Sequence, residues 1–205
     1  MKKKIAILGS TGSIGKTLLK IIERDKKNFE IKLLTANKNY KLVIKQAKKF
    51  NVKNIIINDF DNYLKAKNLC RKNSIRIYND FNCLDKILKT KIDYTMSSIV
   101  GLEGLLPTIK VIKFTKKIAI ANKEAIICGW NLILKEIRKH KTKFIPVDSE
   151  HFSIWSLLKN NKASDIDKIY ITASGGPFLN LPKSKFKKIA IKKALKHPNW
   201  KMGKK

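Results

Sequence analysis

Acid is scarce in this chain: 15 Asp and Glu stand against 46 Lys and Arg, a formal net charge of +31 over 205 residues. Such a balance marks a nucleic-acid binder when the basic residues cluster. Here they are mostly Lys, spread along the whole length and interleaved with Ile and Asn. There is no Arg-rich block and no aromatic pair spaced for base stacking. Lys, Ile and Asn share A/T-rich codons, so genomic composition accounts for the charge more simply. The expected consequence is loose, salt-sensitive attraction to polyanions, with no specific nucleic-acid partner. Cysteine is also scarce. Cys70, Cys83 and Cys128 are odd in number and far apart, which argues against a disulfide framework or a zinc site and points to reduced thiols in a cytoplasmic setting. No apolar run approaches the ~20 residues that span a bilayer. The opening Met1–Leu8 imitates a basic start with an apolar core, but the run stops at Gly9-Ser10-Thr11-Gly12, too short for a signal peptide. No repeat with a period of 20–50 residues is present. What remains is a chain that is 43% hydrophobic, enough for a real core, and long enough for one large domain or one domain and part of another.

Lys4–Leu8 reads as a buried strand, and Lys16–Ile22 has helical periodicity. Between them lies Gly9-Ser10-Thr11-Gly12-Ser13-Ile14-Gly15. Strand, glycine turn and helix form the context a dinucleotide fingerprint requires, although the spacing is G-x-x-G-x-x-G rather than G-x-G-x-x-G. Gly9 suits the tight turn, Gly12 the approach of backbone to phosphate, and Gly15 the helix–strand contact. A plain strand–helix turn has the same outline. Phe29–Ala36 reads as a second strand ending in Asn37-Lys38-Asn39, with one cation and no acid to meet a ribose 2′-hydroxyl, which favours NADP over NAD. Helices are expected over Tyr40–Phe50, Asp61–Lys72, Phe81–Lys89 and Leu102–Lys113. Strands are expected over Asn54–Ile57, Ile75–Tyr78, Ile92–Met96 and Lys117–Ala121. This alternation predicts an α/β fold with a parallel sheet covered on both faces.

The strand at Lys117–Ala121 runs into Asn122-Lys123-Glu124, at the sheet end where open α/β folds bind ligands. Asn122 is equally a good N-cap for a helix beginning at Lys123. Glu136–Lys143 reads as a charged connector closing a first domain. Lys143-Phe144-Ile145 reads as a strand, followed by Pro146-Val147-Asp148-Ser149-Glu150-His151 and a helix from Phe152. On an extended chain Asp148 and Glu150 face the same way and can converge on a hard divalent cation, with Ser149 pointing elsewhere toward a ligand. A solvated turn or a helix N-cap has the same pattern. Lys168–Ala173 reads as a strand delivering Ser174-Gly175-Gly176-Pro177, a turn whose N–H groups can form an anion nest. His197, Trp200 and Met202 sit among Pro and Gly in a segment that reads as a covering loop.

Taken together, GSTGSIG, ANKEAIICG, PVDSEH, TASGGPF and ALKHPNWKMGKK, in this order, resemble the 1-deoxy-D-xylulose 5-phosphate reductoisomerase family over essentially the whole chain. The resemblance implies a Rossmann-like NADPH-binding domain at residues 1–142 and the opening part of an α/β catalytic domain at 143–205. It implies NADPH and a divalent metal (manganese, magnesium or cobalt), a sugar-phosphate substrate, and a homodimer. Carried over by motif, Thr11, Gly12, Ser13 and Ile14 contact NADPH phosphates, and Asn37, Lys38 and Asn39 surround its 2′-phosphate. Family members commonly have Gly where Asn37 stands. Asn122, Glu124 and Gly203 contact NADPH, and Lys123 the substrate. Asp148 and Glu150 bind metal, with Ser149 and Glu150 also at the substrate. Ser174 and His197 hold substrate, and Trp200 and Met202 belong to a flap. Lys123, Glu150 and His197 are the catalytic candidates. The implied reaction is a metal-assisted rearrangement followed by reduction with NADPH, giving 2-C-methyl-D-erythritol 4-phosphate.

In the family the chain continues past this point into a segment bearing a third metal carboxylate and further phosphate ligands, then into a C-terminal domain. The expectation is therefore NADPH binding without turnover for the 205 residues as they stand. Two other readings compete. A different NADP-dependent dehydrogenase explains the glycine turn but not Asp148-Ser149-Glu150 or the His197 segment, and a basic polyanion-binding protein explains only the charge.

Overall fold

The computed structural model describes residues 1–71, 74–171 and 175–196. The chain divides into two compact units, Met1–Trp155 and Ser156–Lys205. The first holds β1 (Lys3–Leu8), α1 (Ser13–Arg24), β2 (Phe29–Ala36), α2 (Tyr40–Phe50), β3 (Asn54–Ile57), α3 (Phe60–Leu69) and β4 (Arg76–Tyr78). Then come α4 (Leu84–Ile87), β5 (Tyr94–Ser97), α5 (Leu105–Ile112), β6 (Lys117–Ile120), α6 (Lys123–His140), β7 (Lys143–Pro146) and the start of α7 (Ser149–Leu158). The seven strands form one sheet in the order β4-β3-β2-β1-β5-β6-β7, and every neighbouring pair is parallel. The expected α/β architecture is present.

Side-chain alternation along β1 divides the core in two. Ile5 and Ile7 join a cluster with Leu19, Ile22, Val43 and Ile44, so α1 and α2 cover that face. Ala6 and Leu8 join Val111, Ile112, Ile133 and Ile137, so α5 and α6 cover the other. Because both faces are buried, the strands read as continuous apolar runs rather than alternating ones.

Several expected boundaries shift. Ile92 makes only an isolated bridge to Thr115, so β5 starts at Tyr94. The helix expected over Phe81–Lys89 breaks into a 3₁₀ turn at Phe81–Cys83 and the short α4. The one expected from Leu102 opens as a 3₁₀ turn through Gly104 and becomes α-helical at Leu105, which places Pro107 in the first helical turn, where its missing N–H is harmless. Glu136–Lys143 is not a connector. It is the last turn of α6, a left-handed Lys141 and the start of β7, and Thr142 is buried with its hydroxyl on the Ile112 and Thr115 carbonyls.

The second unit contains 3₁₀ turns at Ala163–Asp165, Gly176–Phe178 and Lys183–Lys188 and a short α8 (Ile191–Ala194). Gly175 and Gly176 take φ of +74° and +63°, so the expected turn is there. The strand expected over Lys168–Ala173 is not formed at residues 168–171. Ile169, Tyr170 and Ile171 are exposed, and no strand among the described residues pairs with them, so their β-propensity has no ladder to act through. Thr172 and Ala173 lie outside the described residues.

Candidate active site

Two clefts open at the carboxyl end of the sheet, both within the first unit. The first, about 260 Å³, lies beside the end of β1, where the strand order reverses from β2 on one side to β5 on the other. This is the switch point at which open α/β sheets bind ligands. Its walls include Gly9, Thr11, Gly12, Thr35 and Asn37 on one side and Ser98, Ile99, Val100, Glu103 and Pro107 on the other.

Two of the roles expected of the glycine turn are visible in its backbone, the tight turn at Gly9 and the helix contact at Gly15. Gly9 sits at φ +81°, where a Cβ would come within 2.8 Å of the Ser98 carbonyl oxygen. A Cβ on Gly15 would lie 2.5 Å from the Gly9 carbonyl oxygen, so α1 rests directly on the turn. Gly12 caps α1 with no side-chain bond, and no acid occupies the first helical turn. The leading N–H groups and the positive end of the helix dipole are thus left to an anion. Asn37 lines the cleft. Lys38 and Asn39 are exposed beside it, and Asn39 Oδ1 accepts the Leu42 N–H at 3.2 Å, capping α2. Ser13 and Ile14 are exposed in the first turn of α1.

Asn122 is 4% exposed and wholly engaged: Oδ1 accepts the Ala125 N–H at 2.9 Å, while Nδ2 donates to the Ile99 and Gly101 carbonyl oxygens at 2.5 and 2.6 Å. It caps α6 and ties down the loop after β5. Lys123 and Glu124 follow in the first turn of α6.

Lys123 borders the second cleft, of about 370 Å³, together with Ile126, Ile127, Trp130, Phe144, Pro146, Asp148 and His151. Trp130 and Phe144 meet edge to face at 5.3 Å and form its apolar floor. Asp148 caps α7: its carbonyl oxygen accepts the Phe152 N–H at 2.9 Å, and Oδ1 accepts the His151 N–H at 3.1 Å. His151 Nδ1 lies 2.7 Å from the same Oδ1. Burial works to raise the Asp148 pKa, but the two His151 hydrogen bonds and the charges of His151 and Lys123 outweigh it, and the carboxyl is held below its ordinary 3.8.

The extended Asp148–Glu150 geometry expected from sequence is corrected. Asp148 starts the helix at Ser149, so Glu150 lies in its first turn and the two residues do not share a strand face. Ser149 and Glu150 are both exposed there. The donor chemistry still fits a hard cation in kind, since Asp148 stays ionised and both bonds from His151 fall on Oδ1. Among the described residues no group of three His, Cys, Asp or Glu is placed to hold a metal ion. Ser174, His197, Trp200, Met202 and Gly203 lie outside the described residues.

Sequence reasoning overlooked much of the lining. Asn58 and the segment Ser98–Val100 follow strands at their carboxyl ends, a position the switch-point rule flags. Phe81, Trp130 and Phe144 carry no local signal, because only packing brings them to the clefts. Among the described residues no helix is long and apolar enough to cross a membrane.

Comparison with known proteins agrees with this geometry. Residues 5–129 match the family model for 1-deoxy-D-xylulose 5-phosphate reductoisomerase, and 144–205 match the model for its C-terminal domain. The reductoisomerase of Pelagibacter ubique is 63% identical over 205 residues, covering 99% of this chain and 53% of the relative. That of Clostridium novyi is 42% identical over 207 residues, covering 99% and 54%. The structure of the Zymomonas mobilis enzyme in complex with NADPH superposes with a TM-score of 0.86 at 33% identity, over 97% of this chain and 52% of that one. A reductoisomerase solved with NADPH, fosmidomycin and magnesium gives 0.80 at 30% identity, over 98% and 52%. The chain spans about half the length of the curated relatives it matches, and it belongs to the 1-deoxy-D-xylulose 5-phosphate reductoisomerase family.

Proposed function

We propose that this chain forms the NADPH-binding part and the opening part of the catalytic domain of an enzyme that rearranges and reduces 1-deoxy-D-xylulose 5-phosphate to 2-C-methyl-D-erythritol 4-phosphate. The observation that carries the reading is the 63% identity over 205 residues to the reductoisomerase of Pelagibacter ubique. The functional division falls at residues 142 and 143. It is earlier than the boundary between the compact units because β7, Asp148 and the start of α7 belong to the first unit.

The first cleft takes the dinucleotide. Thr11, Gly12, Ser13 and Ile14 meet its phosphates at the start of α1, and Asn37, Lys38 and Asn39 receive the 2′-phosphate. Asn122 acts from behind by holding the loop after β5, with Glu124 and Gly203 at the cofactor. In the second cleft the Lys123 ammonium pairs with an anionic oxygen of the substrate. Asp148 and Glu150 hold the divalent ion (manganese, magnesium or cobalt), and Ser149, Glu150, Ser174 and His197 orient the sugar phosphate. When bound, the metal supplies Lewis acidity and NADPH supplies hydride. Trp130 and Phe144 give the second cleft an apolar floor that limits water there, and the family resemblance assigns Trp200 and Met202 to a flap. The working enzyme is a homodimer in the cytoplasm, without nucleic-acid partners.

The test is a polypeptide carrying these residues at the length of its relatives, mixed with NADPH, manganese and 1-deoxy-D-xylulose 5-phosphate. Substrate-dependent loss of nicotinamide absorbance is expected, and its absence with folded protein overturns the reading.

A further inference from the structure

Gln46 projects from α2, is 8% exposed and lies 36 positions beyond Ser10 in the sequence. Its side chain brackets Ser10. Nε2 donates to the Ser10 carbonyl oxygen at 3.0 Å, and Oε1 accepts the Ser10 hydroxyl at 2.8 Å. The opposite side of the turn is held by Thr35 at the end of β2. Gly9 N–H donates to Thr35 Oγ1 at 2.9 Å, and Ser10 N–H donates to the Thr35 carbonyl oxygen at 2.9 Å. The Ser10 backbone is thus pinned from the sheet by its N–H and from α2 by its carbonyl. Both partners are buried, so water cannot replace a lost bond.

Gly15 converts this clamp into a placement of α1. A Cβ there would stand 2.6 Å from the Ser10 Cα, so the first turn of α1 lies directly against the clamped residue. Thr11 and Gly12, which line the cleft, are the links between Ser10 and that helix. Gln46 faces none of the cleft and carries no charge, so its effect on a ligand must pass through Ser10.

We infer that Gln46 is a positioning residue for the phosphate-binding turn, using its amide to hold Ser10, and through it the start of α1, in the geometry that receives the cofactor's phosphates. The inference rests on the reading of the first cleft as the NADPH site. Loosening the clamp lets the turn and the helix start move apart, and anion recognition by backbone N–H groups depends on their convergence. Ordinary core residues of α2, such as Val43, stabilise the same helix without touching the turn.

The experiment titrates the 205-residue chain with NADPH and follows thermal unfolding for the wild type, Gln46→Met, Ser10→Ala and Val43→Ala. Gln46→Met keeps the volume and removes both amide bonds, whereas Ser10→Ala removes only the hydroxyl. The expected result is NADPH binding about tenfold weaker in Gln46→Met, with a smaller loss in Ser10→Ala. Val43→Ala should lower the unfolding temperature at least as much while leaving affinity unchanged. If Gln46→Met does not fold, Ser10→Ala decides, by weakening NADPH binding while Val43→Ala does not. Wild-type binding with Gln46→Met equal in affinity, or with Val43→Ala equally weakened, overturns the positioning role and leaves the site assignment intact. Failure of the folded wild type to bind NADPH overturns both.

Discussion

Gly15 and Ser10 touch backbone to backbone: a Cβ at residue 15 would stand 2.6 Å from the Ser10 Cα. Neither main chain can yield, because one is in a helix and the other is held by Thr35 and Gln46. Gly15→Ala therefore pushes α1 outward. Overpacking costs about 1–3 kcal/mol, and the better helix propensity of Ala returns up to about 1 kcal/mol. The expected outcome is a modest stability loss in urea together with NADPH affinity reduced at least tenfold. Unchanged affinity would contradict the contact's role.

Cofactor choice follows from Asn37-Lys38-Asn39. With one cation and no acid at the end of β2, NADPH should bind more tightly than NADH. Lys38→Glu places a like charge beside the 2′-phosphate and should lower NADPH affinity while leaving NADH nearly unchanged. Calorimetric titration of both nucleotides checks this, and equal affinities in the wild type would refute it.

Asn122 is expected to be sensitive out of proportion to its size. Asn122→Ala removes the cap of α6 and leaves the Ile99 and Gly101 carbonyl oxygens without their donor. A lost N-cap costs about 1 kcal/mol, and each lost hydrogen bond to a part-buried carbonyl about 0.5–1.5 kcal/mol. A loss of about 2–4 kcal/mol in denaturant unfolding is the predicted result.

Acid should destabilise the fold through Asp93. The Lys116 ammonium donates to Oδ1 and the Lys4 N–H to Oδ2, each at 2.9 Å, tying the starts of β1 and β6 to the residue before β5. These bonds hold its carboxyl below the usual 3.8. A depressed folded pKa contributes stability above the unfolded value and loses it as pH falls through the folded one. Unfolding followed below pH 4 should show this loss, and Asp93→Asn should flatten that part of the profile while lowering stability at neutral pH.

Asp148→Asn should separate the two clefts. The substitution removes an ionised carboxylate from the second cleft and leaves the first untouched. Divalent-metal affinity, measured by manganese titration, is expected to fall at least tenfold with NADPH affinity unchanged. In a polypeptide of the relatives' length, turnover should fall by orders of magnitude. Near-normal metal binding would reduce Asp148 to the helix cap it already is.

The alternation of apolar runs and helical segments, with Gly9, Gly12 and Gly15 between the first two, was enough to determine a parallel α/β sheet with a glycine turn before its first helix. Both are local properties: buried parallel strands are apolar throughout, and glycine alone tolerates the close backbone approach. The ordered motifs carried the family for the same reason, since each is a short run of residues. The rest needed the tertiary structure. Asp148 and Glu150 look alike in sequence, but a hydrogen bond from the His151 backbone starts α7 one residue after Asp148, so a helical turn replaces the extended spacing between them. Lys168–Ile171 has the composition of a strand but no partner among the described residues. Trp130 and Phe144, 14 positions apart, become one wall only because α6 folds back over β7. Gln46 reaches Ser10 across 36 residues, a contact no periodicity encodes, because it is set by how α2 lies on the sheet.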